Sequence, residues 1–271
     1  MGKTISSKLY SKDFFLTSCE GFEKYLKGNF SKRFFEAISL IKIKKGMQVL
    51  DLGAGRGELS IILAKKGVFV KSVDYSQDSI KIIKESIKKV DKKTKGKIKV
   101  IRANAQKLPF SNSSFDLVFL LDTVEHLYPE ELKKTLLEVK RVLKPGGKLV
   151  LHTPNKLLIK VLYFFSKLFF PWWKKHGLHV NEQSYFSLKN NLKIFKGKKR
   201  IFYTPRKGYF KKAVSGFKKC PQRVVSFANF IDHVMENKIV SSLIYHTPLA
   251  IFLGEVLWSV VEIPLTKDKM H

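Results

Sequence analysis

An α/β fold with a doubly wound, mostly parallel sheet of seven strands is predicted by two features of the sequence. Apolar runs of strand length alternate with helical patterns such as residues 131–143, and the runs occupy residues 47–52, 68–73, 98–103, 115–121 and 148–153. A glycine-rich loop also joins the first run to a helical pattern that starts at Leu59. Strand, glycine turn and helix form the first unit of a nucleotide-binding sheet, so we expect the other units to follow in chain order.

We expect one domain over residues 1–271, divided into four parts. Residues 1–45 would form N-terminal helices, and residues 46–155 a cofactor-binding core. Residues 156–190 would be an amphipathic, aromatic insertion on the substrate side, and residues 191–271 would complete the sheet. Within these parts we expect a turn at residues 144–147, a sixth strand over residues 200–204 and a last strand over about residues 257–265.

Acidic residues stand at the ends of the first two predicted strands. Asp51 closes the first strand, and Asp74 closes the second. The loop reads G-x-G-x-G and not the G-x-G-x-x-G of dinucleotide-binding loops, and Asp51 would repel a pyrophosphate but pair with a cation. Asp74 is placed to accept both hydroxyls of a cofactor ribose. The pattern therefore favours a cationic nucleoside cofactor, with a dehydrogenase as the weaker alternative.

Five segments of the chain resemble, in order, the class I methyltransferases of the ubiquinone and menaquinone biosynthesis type. They are VLDLGAGRG (49–57), SVDYS (72–76), ANAQKLPF (103–110), FDLVFLLDTVEHL (115–127) and RVLKPGGKLVLHTPN (141–155). The resemblance covers about residues 45–155 and implies a Rossmann-like methyltransferase fold. It also implies S-adenosylmethionine as the cofactor, with cofactor-binding residues Asp51, Gly53, Ala54, Gly55, Gly57, Asp74, Tyr75, Asn104, Ala105 and Leu121.

The resemblance assigns parts of the cofactor to these positions. Asp51 and the loop over residues 53–57 would face the methionine part, Asp74 the ribose, and Asn104 with Ala105 the adenine edge. Many relatives carry an acid at the position of Asn104. An amide oxygen can still accept a hydrogen bond from the adenine amino group, although without a full charge.

The residues after the fourth strand are candidates for the chemistry, because ligands of open α/β sheets bind at the carboxyl ends of the strands. His126 is the candidate general base, since imidazole titrates near neutral pH, and Glu125 would orient it or act with it. D-x-x-E-H also resembles the E-x-x-E-H metal motif of ubiquinone-type and small-RNA O-methyltransferases. On that alternative a divalent ion (Mg, Mn or Zn) would be held by Asp122, Glu125, His126 and His179, or by His176 in place of His179.

The chain is strongly basic, with a formal net charge of +30. Residues 156–219 contain 17 Lys or Arg but a single acid, Glu182, and only seven of the 52 basic residues in the chain are Arg. Such a field favours an anionic membrane surface, a nucleic acid or an anionic substrate, whereas an AT-rich genome would explain the lysines without any binding task. Residues 157–170 are almost wholly apolar and precede Pro171, Trp172 and Trp173, which suits an interfacial helix or a buried capping helix.

These observations predict methyl transfer to oxygen or carbon of a small, apolar or lipid-linked acceptor near a membrane surface. An RNA ribose or protein methyltransferase is the alternative, and a non-catalytic cofactor-binding scaffold is the third. Base methylation is disfavoured, because residues 122–125 lack an N-P-P-Y type signature. With only Cys19 and Cys220, we expect a protein of the reducing cytoplasm, attached peripherally at the inner membrane face.

Overall fold

A computed structural model describes residues 4–19, 21–160, 164, 178–204, 208, 210–211 and 222–265. Its centre is a seven-stranded sheet with the strand order β3-β2-β1-β4-β5-β7-β6, in which β7 is antiparallel to both of its neighbours. The strands are β1 (Gln48–Leu52), β2 (Phe69–Asp74), β3 (Ile98–Arg102), β4 (Phe115–Leu121), β5 (Leu143–Pro154), β6 (Lys199–Thr204) and β7 (Val256–Glu262). The predicted fold class is confirmed.

Helices lie on both faces of this sheet. The α-helices of the described residues are α1 (Phe22–Leu26), α2 (Lys32–Ser39), α3 (Glu58–Lys65), α4 (Gln77–Lys88), α5 (Lys92–Lys95), α6 (Pro129–Val142), α7 (Tyr185–Asn191), α8 (Gln222–Glu236), α9 (Lys238–Tyr245) and α10 (Ala250–Leu253), and residues 156–160 are also helical. Among these residues we find no helix with the length and apolar character that crossing a bilayer requires.

Strand β4 shows why helices must cover both faces. Val118 and Leu120 pack into one core with α6, whereas Leu117 and Phe119 pack into a second core with α3 and α4. A parallel strand that is buried on both sides has no polar face, and this explains the unbroken apolar run over residues 117–121.

The predicted turn at residues 144–147 is instead a bulge inside β5. Phe115 of β4 pairs with Leu143, and Leu117 pairs with Lys148, so the intervening residues of β5 have no counterpart on β4. Gly146 has a φ of 77° there, which only glycine adopts without strain. The Pro-Gly-Gly signal was correct about local backbone geometry, but the strand continues on both sides of it.

The carboxyl ends of β1, β2, β4 and β5 meet at one edge of the sheet. Because β7 is antiparallel, its first residue, Val256, pairs with both Pro154 at the end of β5 and Thr204 at the end of β6. The connection from β5 to α7 and the connection from β6 to β7 therefore both leave the sheet at this edge. The second of these connections contains α8, α9 and α10.

Candidate active site

A cavity of about 690 Å³ lies at the carboxyl edge of the sheet. Its lining collects nearly all residues that the sequence predicts for the site, namely Asp51, Gly53, Ala54, Gly55, Asp74, Tyr75, Asn104, Ala105, Leu121, Asp122, Glu125, His126 and His179. Gly57 is not part of the lining. It begins α3 with a φ of 79°, and a methyl group added there would press against Ile83.

The glycine loop is fixed to the ends of β2 and β4. The backbone N–H groups of Gly53 and Ala54 donate to the Val73 carbonyl at 2.8 and 3.0 Å. Gly53 has a φ of 79°, and an added Cβ would collide with the Thr123 hydroxyl. The loop thus requires glycine at position 53 for two reasons, namely its backbone angle and its close approach to the residue that follows β4.

Asp74 connects the loop to β2 through its carboxylate. One oxygen accepts the N–H of Gly55 at 3.0 Å, and the other accepts the N–H of Ser76 at 2.9 Å. Burial raises the pKa of Asp74 above its usual value, while these two N–H bonds oppose the rise. The residue predicted to contact a ribose therefore also holds the shape of the glycine loop.

Asp51 is a buried acid at the end of β1. The Ser60 hydroxyl of α3 donates to its carboxylate at 2.6 Å. Burial raises the pKa of Asp51 to about 7, although the bond from Ser60 acts in the opposite direction. A positive charge in the cavity would favour the ionised form of Asp51, so a cationic ligand and the Asp51 carboxylate would stabilise each other.

The cavity wall beyond β2 and β3 is formed by Tyr75 and by residues 103–106. The hydroxyl of Tyr75 donates to the Ile5 carbonyl at 2.8 Å. The side-chain oxygen of Asn104 accepts the N–H of Gln106 at 2.9 Å, which stabilises the turn after β3. A carbonyl oxygen has two lone pairs, so the oxygen of Asn104 retains one for a ligand.

Glu125, His126 and His179 form a cluster on the opposite wall. One ligand atom from each of these side chains lies within 4.8 Å of the other two. The Nδ1–H of His126 donates to the Leu178 carbonyl at 3.2 Å, because a carbonyl oxygen can only accept; Nε2 is therefore left with its lone pair. The Thr153 hydroxyl donates to Glu125 at 3.1 Å.

The surroundings of this cluster shift the pKa values of its three side chains in different directions. Burial, with a contribution from the nearby His179, lowers the pKa of His126 to about 4. Burial and the Asp122 carboxylate raise the pKa of Glu125 to about 8. Burial opposes protonation of His179, but the carboxylates of Glu182 and Glu125 raise its pKa.

Asp122 does not belong to this group of three ligand atoms. Its carboxylate bonds Nδ1 of His152 at 2.5 Å and pairs with Nε of Arg33 at 3.0 Å. His152 in turn packs on the ring of Trp258, with 4.3 Å between the ring centroids. The predicted four-residue ligand set is thus reduced to Glu125, His126 and His179, because Arg33 of α2 and His152 of β5 engage the first acid.

The N-terminal segment over residues 4–19 covers the cavity, and the sequence did not predict this role. Ile5, Tyr10, Phe14 and Phe15 line the cavity beside the glycine loop. The Ser76 hydroxyl donates to the Tyr10 carbonyl at 2.7 Å, and Nη1 of Arg56 donates to the Phe15 carbonyl at 2.9 Å. Most of these contacts use backbone carbonyls, which carry no sequence signal; the three aromatic residues within positions 10–15 were the available hint.

Several predicted features lie outside the described residues. These are His176, Pro171, Trp172, Trp173 and most of the apolar stretch over residues 157–170, together with residues 205–207, 209 and 212–219 of the basic region over residues 156–219. Residues 156–160, 164 and 178–190 of the insertion are described, and the first of these stretches is helical with Leu158 buried.

Comparison with known proteins gives matches of two kinds, to a family and to curated relatives. Residues 50–151 match the family described as "Methyltransferase domain". The demethylmenaquinone methyltransferase of Listeria welshimeri is 32% identical over 117 residues, which cover 42% of this chain and 48% of that protein. The ubiquinone/menaquinone biosynthesis C-methyltransferase UbiE of Ectopseudomonas mendocina is 34% identical over 151 residues, which cover 52% of this chain and 55% of that protein. The chain therefore spans about half the length of these curated relatives.

A solved structure shares the fold over almost the whole chain. Phosphoethanolamine N-methyltransferase 2 of Haemonchus contortus, determined in complex with S-adenosyl-L-methionine, superposes with a TM-score of 0.61 at 17% identity. The match covers 96% of this chain and 60% of that chain. At this level of identity the similarity establishes the common fold.

Proposed function

We propose that this chain, whose residues 50–151 match a methyltransferase domain as the resemblance predicted, transfers a methyl group from S-adenosylmethionine to a small, apolar or lipid-linked acceptor. The observation that carries the proposal is the cavity at the carboxyl edge. It combines the glycine loop, two buried carboxylates and a histidine with a free ring nitrogen in one enclosed space.

The side chains present fit S-adenosylmethionine. Asp51 and Asp74 line the cavity; Asp51 would supply the negative charge that a cofactor with an amino group and a sulfonium requires, and Asp74 would accept the ribose hydroxyls. Asn104 and Ala105 would flank the adenine. When bound, the cofactor supplies an electrophilic methyl group; the chain's own task is to align the acceptor, exclude water and remove a proton from it.

The apolar wall of the cavity and the names of the curated relatives both support an apolar acceptor. Ile5, Phe14, Phe15 and Leu178 give the cavity an apolar wall. One curated relative is named for demethylmenaquinone, and another is named for ubiquinone and menaquinone biosynthesis. We propose that this chain works on an apolar or lipid-linked molecule, at a membrane surface; a methyltransferase for RNA ribose or protein, which the net charge of +30 would suit, is the alternative to be tested.

His126 is the proposed general base. Its pKa of about 4, lowered by burial, makes it a weaker base than a free imidazole but keeps the ring neutral at pH 7. Its Nδ1–H is held by the Leu178 carbonyl, so the ring is fixed in one orientation and Nε2 is free to accept a proton from an acceptor hydroxyl. Glu125 is buried next to it and is held by Thr153, which places a second proton-carrying group in the same wall of the cavity.

A metal-dependent form of this chemistry is a second candidate, favoured by the grouping of Glu125, His126 and His179. Two imidazoles and one carboxylate are a ligand set that suits zinc or manganese better than magnesium. Ligand atoms around one zinc ion lie roughly 3.4 Å apart, so side chains within 4.8 Å of one another need only a small rotation to close on it. A bound ion would make an acceptor hydroxyl more acidic.

Replacement of Asp74 by Asn is expected to weaken S-adenosylmethionine binding at least tenfold. The amide removes the charge and presents an NH2 group to the N–H of either Gly55 or Ser76, at a cost of about 1.5–3 kcal/mol for a hydrogen bond to a charged group. Calorimetric titration of wild type and variant measures this. Asp91→Asn is the matched control, because Asp91 accepts the N–H of Thr94 before β3, away from the cavity. A wild-type protein that fails to bind the cofactor would refute the proposal.

Cofactor affinity is expected to depend on pH through Asp51. Its pKa of about 7 means that the free protein must lose a proton from this acid before the carboxylate can pair with a cation. Binding should therefore be about fivefold weaker at pH 6 than at pH 7. Ser60→Ala removes a hydrogen bond that lowers this pKa, so the variant's binding curve should move to higher pH. Identical curves for both proteins would contradict the role of Asp51.

Zinc binding to the apo protein tests the metal-dependent form. Calorimetry should show one zinc ion per chain, bound at least tenfold more weakly by His179→Ala, since one of three protein ligands is lost. His246→Ala is the control, because His246 is exposed and its ring nitrogen contacts the Ser242 carbonyl. Equal zinc affinity in all three proteins would exclude a site at Glu125, His126 and His179.

A further inference from the structure

Helices α8, α9 and α10 expose an unusual amount of apolar side chain. Of the fifteen large apolar residues that are exposed in the described part of the chain, six lie within residues 222–253. We call them the C-terminal apolar surface: Phe227, Phe230, Ile239, Leu243, Leu249 and Phe252. Phe230 is 60% exposed and Ile239 is 72% exposed, so these side chains are open to solvent and not merely at the margin of the core.

The residues that α8 buries are small or acidic, which is the reverse of the usual order. In α8, Ala228 and Asp232 are buried, while Phe227 and Phe230 face outward. Asp232 faces inward because its carboxylate accepts the N–H groups of Phe210 and Lys211 at 3.0 and 2.8 Å. A buried charge with two fixed partners sets the rotation of α8, and the phenylalanines are consequently held on the outside.

The exposed residues form stripes along their helices. Arg223, Phe227 and Phe230 follow the spacing of one helical face, and Ile239 and Leu243 lie one turn apart on α9. Asn237 joins the two helices as the N-cap of α9, since its side-chain oxygen accepts the N–H of Ile239 at 3.0 Å. The apolar stripes are thus carried by ordered, capped helices.

One end of this surface is tied to the edge of the sheet that carries the cavity. The side-chain amide of Asn155 donates to the carbonyls of Ile251 and Gly254 at 3.1 and 2.7 Å, which ties α10 to the end of β5. Asn155 directly follows Pro154, a residue of the cavity lining. The C-terminal apolar surface therefore belongs to the same edge of the sheet at which an acceptor would enter.

Charge distinguishes between the partners that such a surface could meet. Arg223 and Lys238 are exposed on α8 and α9, and Lys211, whose backbone N–H contacts Asp232 of α8, is exposed as well. Glu236 is the one exposed acid on α8, α9 and α10, so basic side chains outnumber acidic ones at this surface. A second copy of the chain would bring two molecules of net charge +30 together. RNA bases could stack on the phenylalanines, but RNA would leave the aliphatic Ile239, Leu243 and Leu249 without apolar partners. An anionic bilayer satisfies both properties, since its headgroups attract lysine and arginine while its acyl boundary accepts apolar side chains.

We propose that the C-terminal apolar surface docks on an anionic lipid bilayer and brings the cavity to the membrane. The proposal rests on the lipid-linked acceptor proposed above. It implies a peripheral attachment in which α8, α9 and α10 lie in the interface. An acceptor with a lipid tail could then reach the cavity without its tail crossing water.

The test is co-sedimentation with vesicles of phosphatidylcholine alone and of phosphatidylcholine mixed with phosphatidylglycerol. Wild type should bind the anionic vesicles preferentially. The double variant Phe227→Ser, Phe230→Ser should bind them at least about tenfold more weakly, because two phenylalanines no longer enter the interface. Arg223→Gln with Lys238→Gln should lose the preference for anionic over neutral lipid. The matched controls are Phe69→Ser with Leu137→Ser, at exposed apolar positions of β2 and α6, and Lys92→Gln with Lys93→Gln on α5.

Titration of S-adenosylmethionine into every variant separates this proposal from the proposed function. Unchanged cofactor affinity in a variant that loses vesicle binding supports the docking surface and shows that the fold is intact. Wild type that binds the cofactor but neither kind of vesicle would overturn the docking surface alone. The docking surface would also be overturned if the Phe double variant and the control variants bound vesicles equally well. Self-association of the wild type that the Phe double variant loses would overturn it too.

Discussion

The Asp74 carboxylate is the interaction on which the site depends, because it joins the end of β2 to the glycine loop. By accepting the N–H groups of Gly55 and Ser76, it fixes the loop between β1 and α3 and also the start of α4. The sheet brings Asp51 to the same edge, where Ser60 of α3 holds it. Two acids are thereby buried at the entrance to a cavity, a costly arrangement unless a cationic ligand repays part of the desolvation.

The N-terminal segment depends on that loop in turn. Arg56 belongs to the loop and forms a buried ion pair with Glu58, with 2.7 Å between Nη2 and the carboxylate oxygen. The same guanidinium donates to the carbonyls of Phe15 and Cys19. Arg56 therefore holds residues 14–19, so the N-terminal segment and the glycine loop are joined directly. Because of these contacts, the apolar wall of the cavity forms beside the loop from which the methyl group would be presented.

Much of the fold and of the cofactor site could be predicted from the sequence. Strands that are buried on both faces leave unbroken apolar runs in the sequence. Asp51 and Asp74 end two of these runs, and parallel strands bring their ends to one edge of the sheet. The observed strand limits differ from the predicted ones by a few residues, apart from the bulge at residues 144–147. Three features could not be predicted. Asp122 pairs with Arg33, 89 positions earlier, and with His152, and only tertiary packing brings these three together. The N-terminal segment over residues 4–19 is held mainly through its backbone carbonyls, which leave no signal in the sequence. The outward orientation of Phe227 and Phe230 follows from Asp232, whose hydrogen-bond partners lie in another segment.

The central claim is that the cavity performs methyl transfer to an acceptor that is soluble in lipid. Incubation with S-adenosylmethionine that carries a radiolabelled methyl group, in the presence of membrane lipid extract and of total RNA, followed by organic extraction, measures it directly. The account predicts label in the organic phase, lost when His126 is replaced by Ala. Label in the RNA or protein fraction, with none in the organic phase, would contradict it.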